Sequence, residues 1–88
     1  MNEIQQTVKA YILRTFLPGE DPQTLTPTTP LITSGILDSL ATLELVSFLE
    51  SQYGVEFAAA EVDASRIGTL EDISRLVEAK RAKQGTGA

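Results

Sequence analysis

The sequence predicts an all-α fold, a four-helix bundle with a long loop between helices 1 and 2 and a short third helix. Apolar residues recur at spacings of three and four in three stretches, which is the period of an amphipathic helix. All four prolines fall between residues 18 and 30, so no long helix fits there. The 88 residues, 42% of them hydrophobic, have room for one core. We therefore expect a single domain over residues 1–84 and a flexible C-terminal tail over residues 85–88.

The first helix is predicted to run from Ile4 to Leu17. Its apolar stripe consists of Ile4, Val8, Tyr11, Ile12 and Phe16. Pro18 and Gly19 end the helix, because proline disfavours helical geometry in the residue before it and glycine permits almost any turn.

Residues 18–37 form a connector that is unusually long for a compact domain, and such segments are either functional or disordered. Isolated apolar residues in it favour an ordered loop pinned onto the core over a disordered one. These residues are Leu25, Leu31, Ile32, Ile36 and Leu37.

The second helix is predicted to begin at Ser39. Gly35 permits a turn, and Asp38 stands directly before a run of good helix formers, so Asp38 is the natural N-cap. Ser39 is then the first helical residue and points outward at the positive end of the helix dipole.

This helix, to about Tyr53, carries leucines on two sides. At about 100° per residue, its core face holds Leu45, Val46, Leu49 and Tyr53. Its opposite face holds Leu40, Leu43, Glu44 and Ser47. Two leucines beside an outward serine, bordered by Glu44 and Glu50, indicate a candidate docking surface. The alternative is that the long loop covers both leucines.

Beyond Tyr53, Gly54 is a plausible C-cap. Residues 58–67 can form one or two short helical turns that place Phe57, Val62 and Ile67 against the core. Thr69 is the predicted N-cap of a last helix. The apolar stripe of that helix is Leu70, Ile73, Leu76 and Val77.

The composition excludes several kinds of chemistry. The chain has no Cys and no His, which excludes disulfides, thiol nucleophiles, the usual zinc sites and any imidazole base. The N-terminus lacks the basic segment and apolar run of a secretory signal. No stretch approaches the roughly 18 apolar residues of a membrane span. We expect a cytoplasmic protein with no metal site and no insertion into a membrane.

The net charge of -5 is unevenly distributed. Between Arg14 and Arg66 there is no Lys or Arg, whereas the acids of that interval are Glu20, Asp21, Asp38, Glu44, Glu50, Glu56, Glu61 and Asp63. Such a surface repels nucleic acid and favours partners with basic patches. The alternative is a solvated acidic face that only aids solubility.

Ser39 is the candidate functional residue, but it lacks the partners of a catalytic serine. A serine hydroxyl needs a base, and no Lys lies near Ser39 in sequence; Lys9 could approach only through folding. The surrounding sequence is not the Gly-x-Ser-x-Gly elbow of hydrolases. We therefore expect no catalytic residues and no enzymatic activity. A phosphate on this serine would instead be favoured by the helix N-terminus, so Ser39 suits modification by another enzyme.

The segment Gly35-Ile-Leu-Asp-Ser-Leu40, followed by Leu43-Glu-Leu-Val46 and Tyr53-Gly-Val-Glu-Phe57, resembles the acyl and peptidyl carrier protein family. The likeness spans nearly the whole chain, from the first helix to the last. The tripeptide Asp38-Ser39-Leu40 alone is weak evidence, but its place in an 88-residue, four-helix chain without His or Cys is specific. The resemblance implies a four-helix bundle of the acyl-carrier type.

The resemblance also implies a 4'-phosphopantetheine arm joined to Ser39 through a phosphodiester by a phosphopantetheinyl transferase. The thiol of such an arm carries an acyl or aminoacyl group as a thioester, which fits a chain without cysteine. Asp38 would help to recruit the transferase and its metal ion. The implied partner-binding residues are Leu40, Leu43, Glu44, Ser47 and Glu50. The implied partners are the transferase, an acyl- or aminoacyl-activating ligase and a downstream synthase or tailoring enzyme, all met by a monomeric carrier.

Two positions depart from the fatty-acid carriers. Those proteins usually have an acid just after the leucine of the motif and a methionine further along the same face, where this chain has Ala41 and Ser47. The sequence is similar to stand-alone aminoacyl carriers of the D-alanyl or prolyl type, which we favour. The alternative from another class is a non-enzymatic helical adaptor with an unmodified serine.

Overall fold

The computed structural model describes the backbone of residues 1–86 and the side chains of residues 1–83. Four α-helices run in chain order: α1 Glu3–Phe16, α2 Ser39–Tyr53, α3 Ala64–Ile67 and α4 Leu70–Thr86. Two short 3-10 turns, Pro22–Thr24 and Ala59–Glu61, lie in the connecting segments. No strand occurs among residues 1–86. The predicted all-α fold is confirmed.

The core lies between α4 and the other three helices, since α4 packs against each of them. The stripes expected from the sequence supply it. Its fully buried helical side chains are Val8, Ile12, Leu45, Leu49, Ile67, Leu70, Ile73 and Val77. A buried hydrogen bond, 3.2 Å long, from the side-chain amide of Gln5 to the Ser74 hydroxyl also joins α1 to α4.

The long loop between α1 and α2 is ordered against this core, as expected. Leu25, Leu31 and Leu37 are buried to within 1% exposure. The Leu31 amide donates to the Gly68 carbonyl (2.8 Å), and the Pro27 carbonyl accepts from the Glu71 amide (3.0 Å). Two backbone hydrogen bonds therefore hold the loop on the turn between α3 and α4.

Gly68 allows the chain to pass closely at that turn. A Cβ at this position would collide with the backbone of Ala64, including its carbonyl oxygen and its carbonyl carbon at 3.0 Å. Gly68 is buried, and its own carbonyl accepts the hydrogen bond from the loop. The anchor of the loop thus requires a residue without a side chain.

Tyr11 and Tyr53 take part in the packing of α2 against its neighbours. The Tyr11 ring stacks on Phe48 with a centroid separation of 4.0 Å and an interplanar angle of 11°. Its hydroxyl donates to the Glu44 carbonyl at 3.4 Å. At the last residue of α2, the Arg81 guanidinium lies 5.6 Å from the centroid of the Tyr53 ring. These contacts fix α2 against α1 and α4.

The last helix continues to Thr86, two residues into the segment predicted as a flexible tail. Residues 87 and 88 of that tail lie outside the described residues, and the flexibility of the tail stays a prediction. Over the described part of the chain, no helix combines the length and the apolar composition needed to cross a bilayer.

Candidate functional site

The start of α2 is built by a turn and a cap. Gly35 adopts a φ of +87°, in the left-handed region that favours glycine, and it reverses the chain before α2. The Asp38 carboxylate accepts a hydrogen bond from the Ala41 amide at 2.8 Å. The Asp38 carbonyl accepts from both the amide (2.9 Å) and the hydroxyl (2.7 Å) of Thr42. Asp38 is therefore the N-cap, as predicted.

Ser39 is the first residue of α2, and its side chain is exposed. Within the described chain, no group makes a hydrogen bond to its hydroxyl, and neither Lys9 nor a carboxylate activates it. The amides of Ser39 and Leu40 precede the first intrahelical hydrogen bonds and point out of the helix. The site offers a free hydroxyl at an electropositive helix end but no general base.

An open groove of about 520 Å³ runs beside Ser39. It is lined by Ile32, Leu37, Asp38, Ser39, Thr42, Leu43 and Val62. The only ionisable group in this set is Asp38, which is already occupied as the cap. The groove is therefore mainly apolar and has no cation to hold a carboxylate.

The outer face of α2 is open to solvent. Leu40 is 67% exposed and Leu43 is 58% exposed. Glu44 and Ser47 are exposed on the same face. The alternative in which the long loop covers the two leucines is wrong, because that loop is bound to the α3–α4 turn instead.

Glu50 lies at the edge of this face and is partly buried. Its carboxylate accepts a hydrogen bond from the Phe57 amide at 2.9 Å. Glu50 thus holds the segment that follows α2, a contact that the helical period alone could not predict. Its role in partner binding stays a prediction.

Four groove residues were not predicted from the sequence as part of the site: Ile32, Leu37, Thr42 and Val62. A local signal existed for Thr42, since Ser39, Thr42 and Leu43 follow the i, i+3, i+4 spacing of one helix side. Ile32 and Val62 were expected only to pack against the core. Their approach to Ser39 depends on how the loop and the residues before α3 fold.

Together, these features define a class of protein. A small helical bundle that presents one exposed serine without a base, beside an apolar groove, is suited to receive a covalent group rather than to catalyse a reaction. The residues fit a 4'-phosphopantetheine arm. The free hydroxyl can form the phosphodiester, the outward amides of α2 favour its negative charge, and the groove can take its chain.

Comparison with known proteins identifies the class more closely. Residues 12–77 match the family described as "Phosphopantetheine attachment site". The match covers most of the chain, and this chain belongs to that family, with a covalently attached 4'-phosphopantetheine as its cofactor and the fold of the acyl carrier proteins.

A curated relative is the D-alanyl carrier protein of Lacticaseibacillus casei (strain BL23), which is 42% identical over 48 residues. Those residues are 54% of this chain and 59% of the relative, so the similarity spans little more than half of either protein. The alternative of an adaptor with an unmodified serine gains no support from these comparisons.

Proposed function

We propose that this chain is a carrier protein in which the Ser39 hydroxyl bears the 4'-phosphopantetheine arm. The arm supplies a terminal thiol that holds an acyl or aminoacyl group as a thioester. The observation that carries the assignment to Ser39 is its exposed hydroxyl at the start of α2, inside the matched family region and beside the groove.

The neighbours of Ser39 have separate tasks in this proposal. Asp38 fixes the start of α2 and is the residue that the transferase and its metal ion recognise. The Ser39 oxygen attacks the pantetheine-side phosphorus of coenzyme A, the pyrophosphate bond breaks, and adenosine 3',5'-bisphosphate leaves. The transferase supplies the base that takes the hydroxyl proton, which this site lacks. The amides of Ser39 and Leu40 stabilise the negative charge of the phosphodiester. The carrier itself catalyses nothing.

The cargo that we propose is an aminoacyl group, with D-alanine as the first candidate. The identity to a D-alanyl carrier protein supports this choice. The groove contains no cation to attract a carboxylate-bearing acyl group, which disfavours a cargo of that kind.

The proposed partners are the transferase, an aminoacyl- or acyl-activating ligase and a downstream synthase or tailoring enzyme, which a monomeric carrier meets in turn. They would contact the exposed face of α2, with Leu40 and Leu43 as apolar anchors and Glu44, Ser47 and Glu50 as polar contacts. Brief encounters favour a small interface steered by charge, and the acidic central stretch supplies the steering. We expect association with the ligase to weaken as salt rises, and binding that is independent of salt would contradict steering.

The experiment is the enzymatic modification of the apo chain. The protein is incubated with coenzyme A and a broad-specificity phosphopantetheinyl transferase, and its intact mass is measured. We expect a gain of one phosphopantetheinyl group in the wild type and none in Ser39→Ala. The matched control is Ser51→Ala, which removes another exposed hydroxyl of α2 and should be modified like the wild type. An equal gain with Ser39→Ala would overturn the assignment.

A further inference from the structure

The segment between α2 and α3 forms the far wall of the groove through Val62. Val55 of this segment is buried, and Phe57 and Val62 pack against the core, whereas residues 58–60 between them are exposed. Val62 directly follows the 3-10 turn Ala59–Glu61, and its amide donates to the Ala59 carbonyl at 3.2 Å. The position of the wall therefore depends on what holds this turn.

Side chains from two helices hold the turn. From α2, the Glu50 carboxylate accepts from the Phe57 amide at 2.9 Å. From α4, the Lys80 ammonium lies 2.7 Å from the Glu61 carboxylate and 5.2 Å from the centroid of the Phe57 ring. The same Glu61 carboxylate oxygen accepts from the Ala58 amide at 2.8 Å. Lys80 thus contacts both ends of the segment that leads to Val62.

The burial of this ion pair separates it from the other pairs of the described chain. The side chains of Lys80 and Glu61 are 19% and 22% exposed, whereas those of Arg75 and Glu71 are 70% and 48% exposed at a longer distance of 3.4 Å. Among the described side chains, Arg75 pairs with Glu71 and Asp72, which are acids of its own helix. A pair that is less exposed to water and joins two elements constrains their relative position more than a more exposed pair within one helix.

We infer that Lys80 and Glu61 are positioning residues for the Ser39 site: their ion pair holds Val62 in place and so sets the width of the groove into which the arm on Ser39 is directed. The inference deepens the proposed function and rests on it. Ser39 itself is fixed by the Asp38 cap and does not need the pair. Loss of the pair should therefore move the groove wall but leave the serine and the bundle in place.

The test uses the apo chain in two measurements. The first is the NMR shift of the Val62 methyl groups. The second is the kinetics of modification by a phosphopantetheinyl transferase, with coenzyme A saturating and the carrier varied. Lys80→Met keeps an unbranched side chain of nearly the same length and removes its charge. Glu61→Gln removes the charge from the other side. Thermal unfolding of each variant shows that the bundle is folded.

We expect both variants to shift the Val62 methyl signals and to raise the KM for the carrier by roughly two- to fivefold, with kcat unchanged. The chemical step depends on the Ser39 hydroxyl, which α2 positions. Binding of the carrier to the transferase depends on the shape of the surface around that hydroxyl. Lys80→Arg should restore the wild-type values. The matched control is Arg75→Met, which removes an exposed pair of the same helix and should change neither readout.

The outcomes separate the two proposals. If the wild type is not modified at all, the function proposed for Ser39 fails. If the wild type is modified, but Lys80→Met and Glu61→Gln keep both the wild-type KM and the wild-type Val62 signals, the positioning role is wrong and the proposed function stands.

Discussion

The N-termini of α2 and α4 are built in the same way but lie in opposite surroundings. Each begins with a side-chain oxygen that accepts a hydrogen bond from the amide three residues on. The Ala41 amide donates to Asp38 at 2.8 Å, and the Asp72 amide donates to Thr69 at 3.0 Å. At α4 the loop between α1 and α2 covers the start of the helix, and the Glu71 amide donates a hydrogen bond to the Pro27 carbonyl of that loop. At α2 the end is open. A capping motif therefore locates a helix start, and the tertiary fold decides whether that start is structural or functional.

The largest contrast should come from the leucine that opens each helix. Leu70 is fully buried at the start of α4, whereas Leu40 is 67% exposed at the start of α2. We expect Leu70→Ala to lower the free energy of unfolding by about 2–5 kcal/mol, because it leaves a cavity in the core. Leu40→Ala should change it by less than about 0.5 kcal/mol. Urea unfolding of both variants checks this, and a comparable loss in the two would break the contrast.

The second-largest effect should come from Gly68, whose carbonyl holds the loop over the start of α4. In Gly68→Ala, the new methyl group collides with the Ala64 backbone, and the turn must shift away from the loop. We expect a loss of about 1–3 kcal/mol in the free energy of unfolding, measured by thermal or urea denaturation. Faster amide exchange at Leu31 should accompany it, because the Leu31 amide donates to Gly68. Unchanged exchange at Leu31 would show that the loop does not depend on this anchor.

The third effect separates capping from function. Asp38→Ala and Thr69→Ala should each cost about 1 kcal/mol of stability, since each removes one side-chain cap. Asp38→Asn keeps an N-cap acceptor and should retain the wild-type stability. Of these variants, only those at Asp38 should slow modification by the transferase. If Thr69→Ala slowed it equally, the effect would reflect the stability of the bundle rather than recognition at α2.

The smallest effect concerns a third capped helix, α3. A hydrogen bond from the Ser65 hydroxyl, supported by the Ser65 and Arg66 amides, lowers the pKa of the Asp63 carboxyl. Hydrogen bonds from Lys80 and Ala58 likewise lower the pKa of the Glu61 carboxyl. Both groups stabilise the folded state above their ordinary pKa values of 3.8 and 4.5, and this contribution is lost as the pH falls through the lowered values.

We therefore expect the amides of residues 58–66 to lose protection, relative to their intrinsic exchange rates at each pH, below about pH 4.5 and before the helices unfold. Hydrogen exchange followed by NMR between pH 6 and pH 3 measures it. Asp63→Asn keeps the cap but does not titrate, and it should reduce the loss of protection near Ser65. Simultaneous exchange of the whole chain would show that this segment does not open separately.

The caps at the two ends of α2 were predicted well from the sequence. Asp38 and Gly54 mark its two ends in the chain and in the structure, because a cap acts through residues no more than four positions away. The position of Leu40 and Leu43 on the outer face of α2 also followed from the helical period, whereas their exposure depended on where the loop packs. What could not be predicted depends on residues far apart in the chain. The hydrogen bond from Leu31 to Gly68 joins backbone groups, which carry no side-chain signal.

The same limit applies to the groove. Lys80 and Glu61 lie 19 positions apart, and each has the charge of an ordinary surface residue in the sequence. Glu50 occupies a helical position that borders the outer face, yet its carboxylate turns to the Phe57 amide. Only the fold determines which charged side chains remain available to partners and which hold the wall of the groove.

The packing of the two tyrosines has a spectroscopic consequence. The chain has no tryptophan and two tyrosines, so the near-ultraviolet circular dichroism arises chiefly from Tyr11 and Tyr53. Tyr11 of α1 packs against the middle of α2, and Tyr53 is the last residue of α2. This signal therefore reports how α2 packs against its neighbours. Loss of the near-ultraviolet signal with an intact far-ultraviolet spectrum would record the loosening of α2 without any label. The near-ultraviolet spectrum of the unlabelled protein thus reports the packing of the helix that bears Ser39.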